Sequence, residues 1–267
     1  MWKLVAVVVG LVIVLWAVYR FWYLSGFPPC PPVSEIAAQV RQHPATQQCA
    51  NVSVAVEGCR ASLQGRVESE AQRARLLDAV RRIKGITAVD DALLQVVEAP
   101  LCEVLELLEP VQKHAETHDF RLQVRLVNKE GEKLPVYVQG ENLIIEVTAP
   151  AKFASFVYVD YYTTDGQVQH LFPNLQEGLN FLPPRGVYTV GQPDGQHFEW
   201  KPLPPFGREL LTVIATKRPL VFVPKAPRHD PEPARFYLDQ LRYALPRDLS
   251  QAEIAVAFYT IETRDRP

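Results

Sequence analysis

The chain has 267 residues, 48% hydrophobic and 22% charged, which is enough apolar material for one large or two ordinary domains and excludes global disorder. Its 28 Lys and Arg against 30 Asp and Glu leave a net charge of −2, without the basic excess of a general nucleic-acid binder. With 23 prolines and one methionine, strands and loops are favoured over a helix bundle.

The first element predicted is a membrane anchor over residues 1–27. Leu4 to Tyr19 carries no charge, and the run lengthens if Arg20 snorkels and apolar residues continue to Phe27. That brings it to the roughly 20 residues a spanning helix needs. Trp16, Tyr19, Trp22 and Tyr23 would form an aromatic belt at the exit interface. Lys3 and the amino terminus place positive charge ahead of the run, so the N-terminus is expected in the cytoplasm and the bulk outside it. A cleaved signal peptide is disfavoured, because Tyr19, Arg20, Phe21, Trp22 and Tyr23 are bulky where a peptidase needs small residues.

Residues 28–32 form a stiff Pro-rich spacer. All four cysteines lie beyond the anchor, and in an oxidising periplasm Cys30, Cys49, Cys59 and Cys102 could form two disulfides, with three connectivities open. They contain no CxxC pair, and no His stands at a zinc-finger spacing from them, so no metal site is expected.

Residues 33–99 read as a small αββαβ module. Ser34 is expected to cap a short helix, SEIAAQVRQH. Val52, Val54 and Val56 alternate with Ser53 and Ala55, a strand of period two. Glu57-Gly58 turns the chain into a second strand with Ala61, Leu63, Gly65 and Val67. Ser69 caps a helix with Leu76, Leu77, Val80 and Ile83 on one stripe, ended by Gly85. Ile86 to Val97 supplies a last strand.

The segments Val52-x-Val54-x-Val56-x-Gly58, Leu63-Gln64-Gly65-Arg66-Val67-x-Ser69 and Lys84-Gly85-Ile86-x-x-Val89-Asp90-Asp91 resemble the BON domain of bacterial envelope proteins. The resemblance implies a non-enzymatic module that binds membranes, phospholipid or other envelope components. Many members carry tandem copies, whereas this chain shows one, with two extra cysteines flanking its hairpin. Arg73, Arg75, Arg81, Arg82 and Lys84 could meet anionic headgroups, but Glu68, Glu70 and Asp78 interrupt them and favour a solvated helix face.

Residues 100–119 read as a linker helix with Leu101, Val104, Leu105, Leu108 and Val111 on one side, and Pro110 is expected to kink or split it. Residues 120–223 follow as short strands with Gly, Pro and Asp turns, the pattern of an antiparallel β-sandwich. Strands are expected at Leu122–Leu126, Asn142–Thr148 and Ser155–Tyr162, and then, past the Thr164-Asp165-Gly166 turn, at Gln167–Pro173. Others are expected near Asn180, at Gly186–Val190, His197–Trp200 and Leu210–Thr216. Residues 224–267 add a helix with Phe236, Tyr237, Leu238, Leu241 and Leu245, and a strand from Ile254 to Thr260, packing on the sandwich. The fold class expected is therefore α+β.

Gly140-Glu141-x-Leu143-x-Ile145, Phe156 to Tyr162, Asp165-Gly166-x-Val168, Leu171-Phe172-Pro173-Asn174 and Pro205-x-Gly207-x-Glu209-x-Leu211-x-Val213 to Thr216 are similar to the bacterial domain of unknown function 4384. That resemblance implies a folded accessory module of envelope proteins, some fused to Ser/Thr kinases or associated with type VI secretion. No Gly-rich phosphate loop and no catalytic HRD or DFG is present.

Candidate chemistry is sparse. His114 and His118 share a helix face at i and i+4, but Ala115 stands where a zincin needs Glu and no third ligand follows. Asp160 and Asp165 could pair as acid and base, although Asp165-Gly166 is first a turn signal. His170 has no nucleophile motif around it. Tyr158, Tyr161, Tyr162, Phe172 and Trp200 could form a carbohydrate or peptide platform, with sandwich core as the commoner role of such a stripe.

No catalytic, cofactor or metal residue is expected. The function expected is a single-pass inner-membrane scaffold of an envelope machine, type VI secretion first. A lipid- or peptidoglycan-binding maintenance module is the alternative. The expected partners are the inner membrane, envelope or secretion proteins and phospholipid, with no nucleic acid.

Overall fold

The computed structural model describes residues 14, 16, 30–43, 51–97, 100–127, 136–174, 177–194, 197–220 and 231–266. The expected anchor lies outside them apart from Val14 and Trp16, both helical; among the described residues no helix is long and apolar enough to cross a membrane. The chain divides into two units, Met1–Val96 and Val97–Pro267.

The first unit runs α1 (Val33–Gln42), β1 (Asn51–Glu57), β2 (Arg60–Val67), α2 (Glu70–Arg81) and β3 (Ala88–Val96). Its sheet has the order β1-β2-β3, with β1 antiparallel and β3 parallel to β2. Period two turns Val52, Val54, Val56, Ala61, Leu63, Val67 and Leu94 to one face, where Ile36 and Val40 of α1 and Leu76, Leu77 and Val80 of α2 close the core. Ser69 caps α2 by accepting the Gln72 N–H at 3.2 Å, and the Gln72 side chain accepts from Glu68 N at 2.7 Å. Ser34 caps nothing; it lies inside α1, whose N-cap is Pro32, two residues earlier, with no side-chain cap. Gly65, at φ +130, lies against the Asn51 carbonyl of the neighbouring strand, leaving no room for a Cβ.

In the second unit, α3 (Leu101–Thr117) is followed by β4 (Gln123–Val127), β5 (Val136–Val138), β6 (Ile144–Thr148), β7 (Ser155–Tyr162) and β8 (Gln167–Phe172). Then come β9 (Phe181–Leu182), β10 (Val187–Val190), β11 (Arg208–Thr216), β12 (Glu232–Pro233), α4 (Ala234–Ala244) and β13 (Ile254–Arg264). One sheet has the order β10-β6-β4; the larger has β12-β8-β7-β11-β13-β5, with β9 on β7. Val124, Leu126, Ile145, Val147 and Val190 of the small sheet pack on Val157, Val159, Tyr161, Leu211, Val213 and Ala215 of the large one.

The sandwich departs from the expected antiparallel pattern in one pair: β5 lies parallel to β13. His197–Trp200 is no strand, although Trp200 O accepts from Leu143 N at 2.7 Å. The helix over 101–117 belongs to this unit and lies along β13, so it is a packing element rather than a linker. It runs unbroken through Pro110, its buried stripe of Val104, Leu105, Leu108 and Val111 offsetting the lost backbone bond. On β7, Val157, Val159 and Tyr161 face the small sheet, while Tyr158, Asp160 and Tyr162 point to the other side. There α4 presents Ala234, Tyr237, Leu238 and Leu241, and Tyr237 reaches Tyr162 and Asp160. That double cover is why six of the last seven β7 positions are apolar or aromatic.

Candidate functional site

The densest polar chemistry lies on the helix-covered face of the large sheet. The β7–β8 register sets Asp160 opposite His170, beside a bulge at Leu171 that shifts the next pair to Val159 and Phe172. Asp160, 2% exposed, accepts from His170 Nδ1 at 2.6 Å and from the Tyr237 hydroxyl at 2.6 Å. His170 Nε2 donates to Glu232 Oε1 at 3.1 Å. β12 brings Glu232 in by pairing with β8, and α4, which follows at once, brings Tyr237.

Both imidazole nitrogens thus face carboxylates. Burial pulls the imidazole down, but the charges of Asp160 and Glu232 and their hydrogen bonds more than offset this and raise it to about 9. Burial and the Asp160 charge push the Tyr237 phenol well up, so it stays a donor. The result is an imidazolium clamped between two carboxylates, with no ring nitrogen left to take a proton from a substrate.

A second buried carboxyl closes one end of the sandwich. Glu209, 1% exposed, accepts from the Tyr161 hydroxyl, and its other oxygen has no hydrogen-bond partner. Burial raises its carboxyl above the usual range.

The aromatic platform is not a surface. Tyr158, Tyr161, Tyr162, Phe172 and Trp200 are all buried, at 7% exposure or less, because β7 and β8 are covered on both sides. Asp160 and Asp165 do not converge: Asp160 lies under α4, whereas Asp165 accepts from Thr163 Oγ1 in the turn at 2.5 Å. His114 Nε2 donates to Ala252 O and His118 Nδ1 to His114 O, each at 2.9 Å, and the rings lie 4.1 Å apart. Among the described residues no group of three metal-ligating side chains converges.

Cys30 is bonded to Cys59 at the tip of the β1–β2 hairpin, with Cα atoms 5.1 Å apart; Cys102 is buried in α3, and no described cysteine is free. Cys49 lies outside the described residues. In the basic set of the first unit, Arg73 pairs with Asp91 at 2.8 Å and Arg81 with Asp78 at 3.7 Å, leaving Arg75, Arg82 and Lys84 exposed.

The Asp160–His170 pair is not among the sequence expectations, which set Asp160 beside Asp165. Its signal is nonetheless local: counting outward from the Asp165-Gly166 turn puts positions 160 and 170 opposite each other. Glu232 and Tyr237 carry no such signal, being 62 and 77 residues from their partners.

Residues 32–98 match the family model of the BON domain, and residues 136–219 match that of the Domain of unknown function (DUF4384), in the expected order. No curated protein and no solved structure matches the chain.

Proposed function

We propose that the protein is a non-catalytic accessory component of a bacterial envelope machine, type VI secretion first. In this reading the N-terminal apolar run holds it in the inner membrane, with both units in the periplasm. The observation that supports the envelope part of this reading is the BON domain at 32–98, a module of envelope or membrane association, preceded by an uncharged run from Leu4 to Tyr19. The disulfide fits an oxidising compartment. The clamped His170 supports a non-catalytic role, since the polar cluster spends its hydrogen bonds on holding α4 and β12 to the sheet. Phe236 and Tyr243, 66% and 83% exposed and seven residues apart on α4, offer a protein partner two aromatic anchors.

Two measurements test this. A periplasm-active reporter fused after Pro267 should be active in intact cells, and activity of a cytosolic reporter there would overturn the topology. Capture of the chain from solubilised membranes should recover a stable set of secretion subunits. Recovery of lipid or peptidoglycan without them would favour an envelope-maintenance module.

A further inference from the structure

Most strands that end a sheet in this protein carry a feature that keeps other strands off. β12 has two residues, one of them Pro233; β5 has three and β10 four. β4 carries Arg125, ion-paired with Glu146 at 3.0 Å. β3 carries Asp90 and Asp91 and slips register against β2 between Ser62 and Gln64. β1 has none of these guards. It runs seven residues in unbroken register with β2, without proline or bulge, and its only charge is Glu57 at the end. Among the described residues no strand pairs with its outer edge.

The hairpin turns on Gly58 and Cys59, so Glu57 and Arg60 close it as a hydrogen-bonded pair, and bonded pairs alternate from there. Asn51, Ser53, Ala55 and Glu57 therefore spend their backbone groups on β2, while the N–H and C=O of Val52, Val54 and Val56 point outward. These three residues make no further backbone bond among the described residues. Their side chains are half-buried at the rim of the core, and Ser53 and Ala55 are exposed on the opposite face.

The edge is complementary to itself. A second β1 laid antiparallel about a two-fold axis at Val54 sets Val54 against Val54 and Val52 against Val56. Each opposed pair exchanges two hydrogen bonds, and the valine rims of the two cores bury one another. On the other face Ser53 meets Ala55. Glu57 meets Asn51 instead of a second carboxylate, so no like charges oppose.

We propose that two copies of the chain pair β1 to β1 about a two-fold axis, making one continuous sheet in the order β3-β2-β1-β1-β2-β3. The pairing uses the first unit only and does not depend on the anchor.

The test is sedimentation equilibrium of the full chain in density-matched detergent, with hydrogen–deuterium exchange at the same concentrations. The chain should pass from monomer to dimer as concentration rises, and the amides of Val52, Val54 and Val56 should then exchange several-fold more slowly. Ser53→Lys/Ala55→Lys, at two exposed positions that would face each other across the axis, should stay monomeric with its circular dichroism unchanged. An equimolar mixture with Ser53→Glu/Ala55→Glu should restore the dimer. A monomer at every concentration overturns the proposal, as does a dimer without slower exchange at the three valines or one that the lysine pair leaves intact. Protection of these amides already in the dilute monomer, or by a different protein bound to a single copy, overturns it too. The exchange measurement on the unaltered chain decides the matter even where a variant does not fold.

Discussion

Replacing His170 by Gln tests whether the polar cluster under α4 is held by charge. In the folded chain the imidazole sits at about 9 against an ordinary 6.5. At about 1.4 kcal/mol per tenfold, that difference is worth about 3 kcal/mol. The side chain is 30% exposed, and solvent trims the figure to about 2–3 kcal/mol. The folded value is raised, so the contribution is complete below 6.5 and fades as pH rises through about 9. Urea unfolding of the detergent-solubilised chain, read by deuterium pulses on β7 and β8 peptides, isolates the second unit. At pH 6 the wild type should exceed His170→Gln by about 2–3 kcal/mol, and the gap should close by about pH 10. A gap of the same size at both pH values would refute the charge argument and leave only a packing role. Asp160→Ala, which strips both His170 and Tyr237 of their acceptor, should cost about 3–5 kcal/mol at pH 6.

Gly65→Ala should cost the first unit more than about 3 kcal/mol, visible as early loss of its circular dichroism transition, because the new Cβ would overlap the Asn51 carbonyl at a φ of +130. Removing the bridge with Cys30→Ser/Cys59→Ser releases a loop closed across 29 positions, which should lower the first unit's stability by about 3–4 kcal/mol in urea. Glu209→Gln should raise the second unit's melting temperature at pH 8 and not at pH 4. Burial raises the native carboxyl, so the wild type loses stability as pH climbs through its folded value, and the amide does not.

What is legible in the sequence is local. The first unit follows from valine alternation at 52, 54 and 56, a Ser69 cap and one leucine stripe, each of which acts within a few residues. In the second unit the strands are legible but their partners are not. Nothing near Val136 says that it will pair in parallel with Glu262, and the stripe of α3 does not say that β13 receives it. The aromatics mislead for the same reason. Tyr158 and Tyr162 carry polar tips suited to a ligand face, and Tyr162 is covered by Tyr237 of a helix more than 70 residues later in the chain. Pro110 misleads in the other direction, since helix-breaking is a local rule that the packed stripe overrides.

The nine-rung ladder between β11 and β13, from Arg208 opposite Glu262 to Thr216 opposite Ile254, has a practical side. The stretch matched as DUF4384 begins at 136, after α3 and β4, and stops at 219, before α4 and β13. A recombinant fragment trimmed to that stretch would leave the middle strand of its main sheet naked along one edge and Asp160 open to water, a recipe for inclusion bodies. Crystallographers and engineers should place their cuts ahead of Leu101 and behind Arg264.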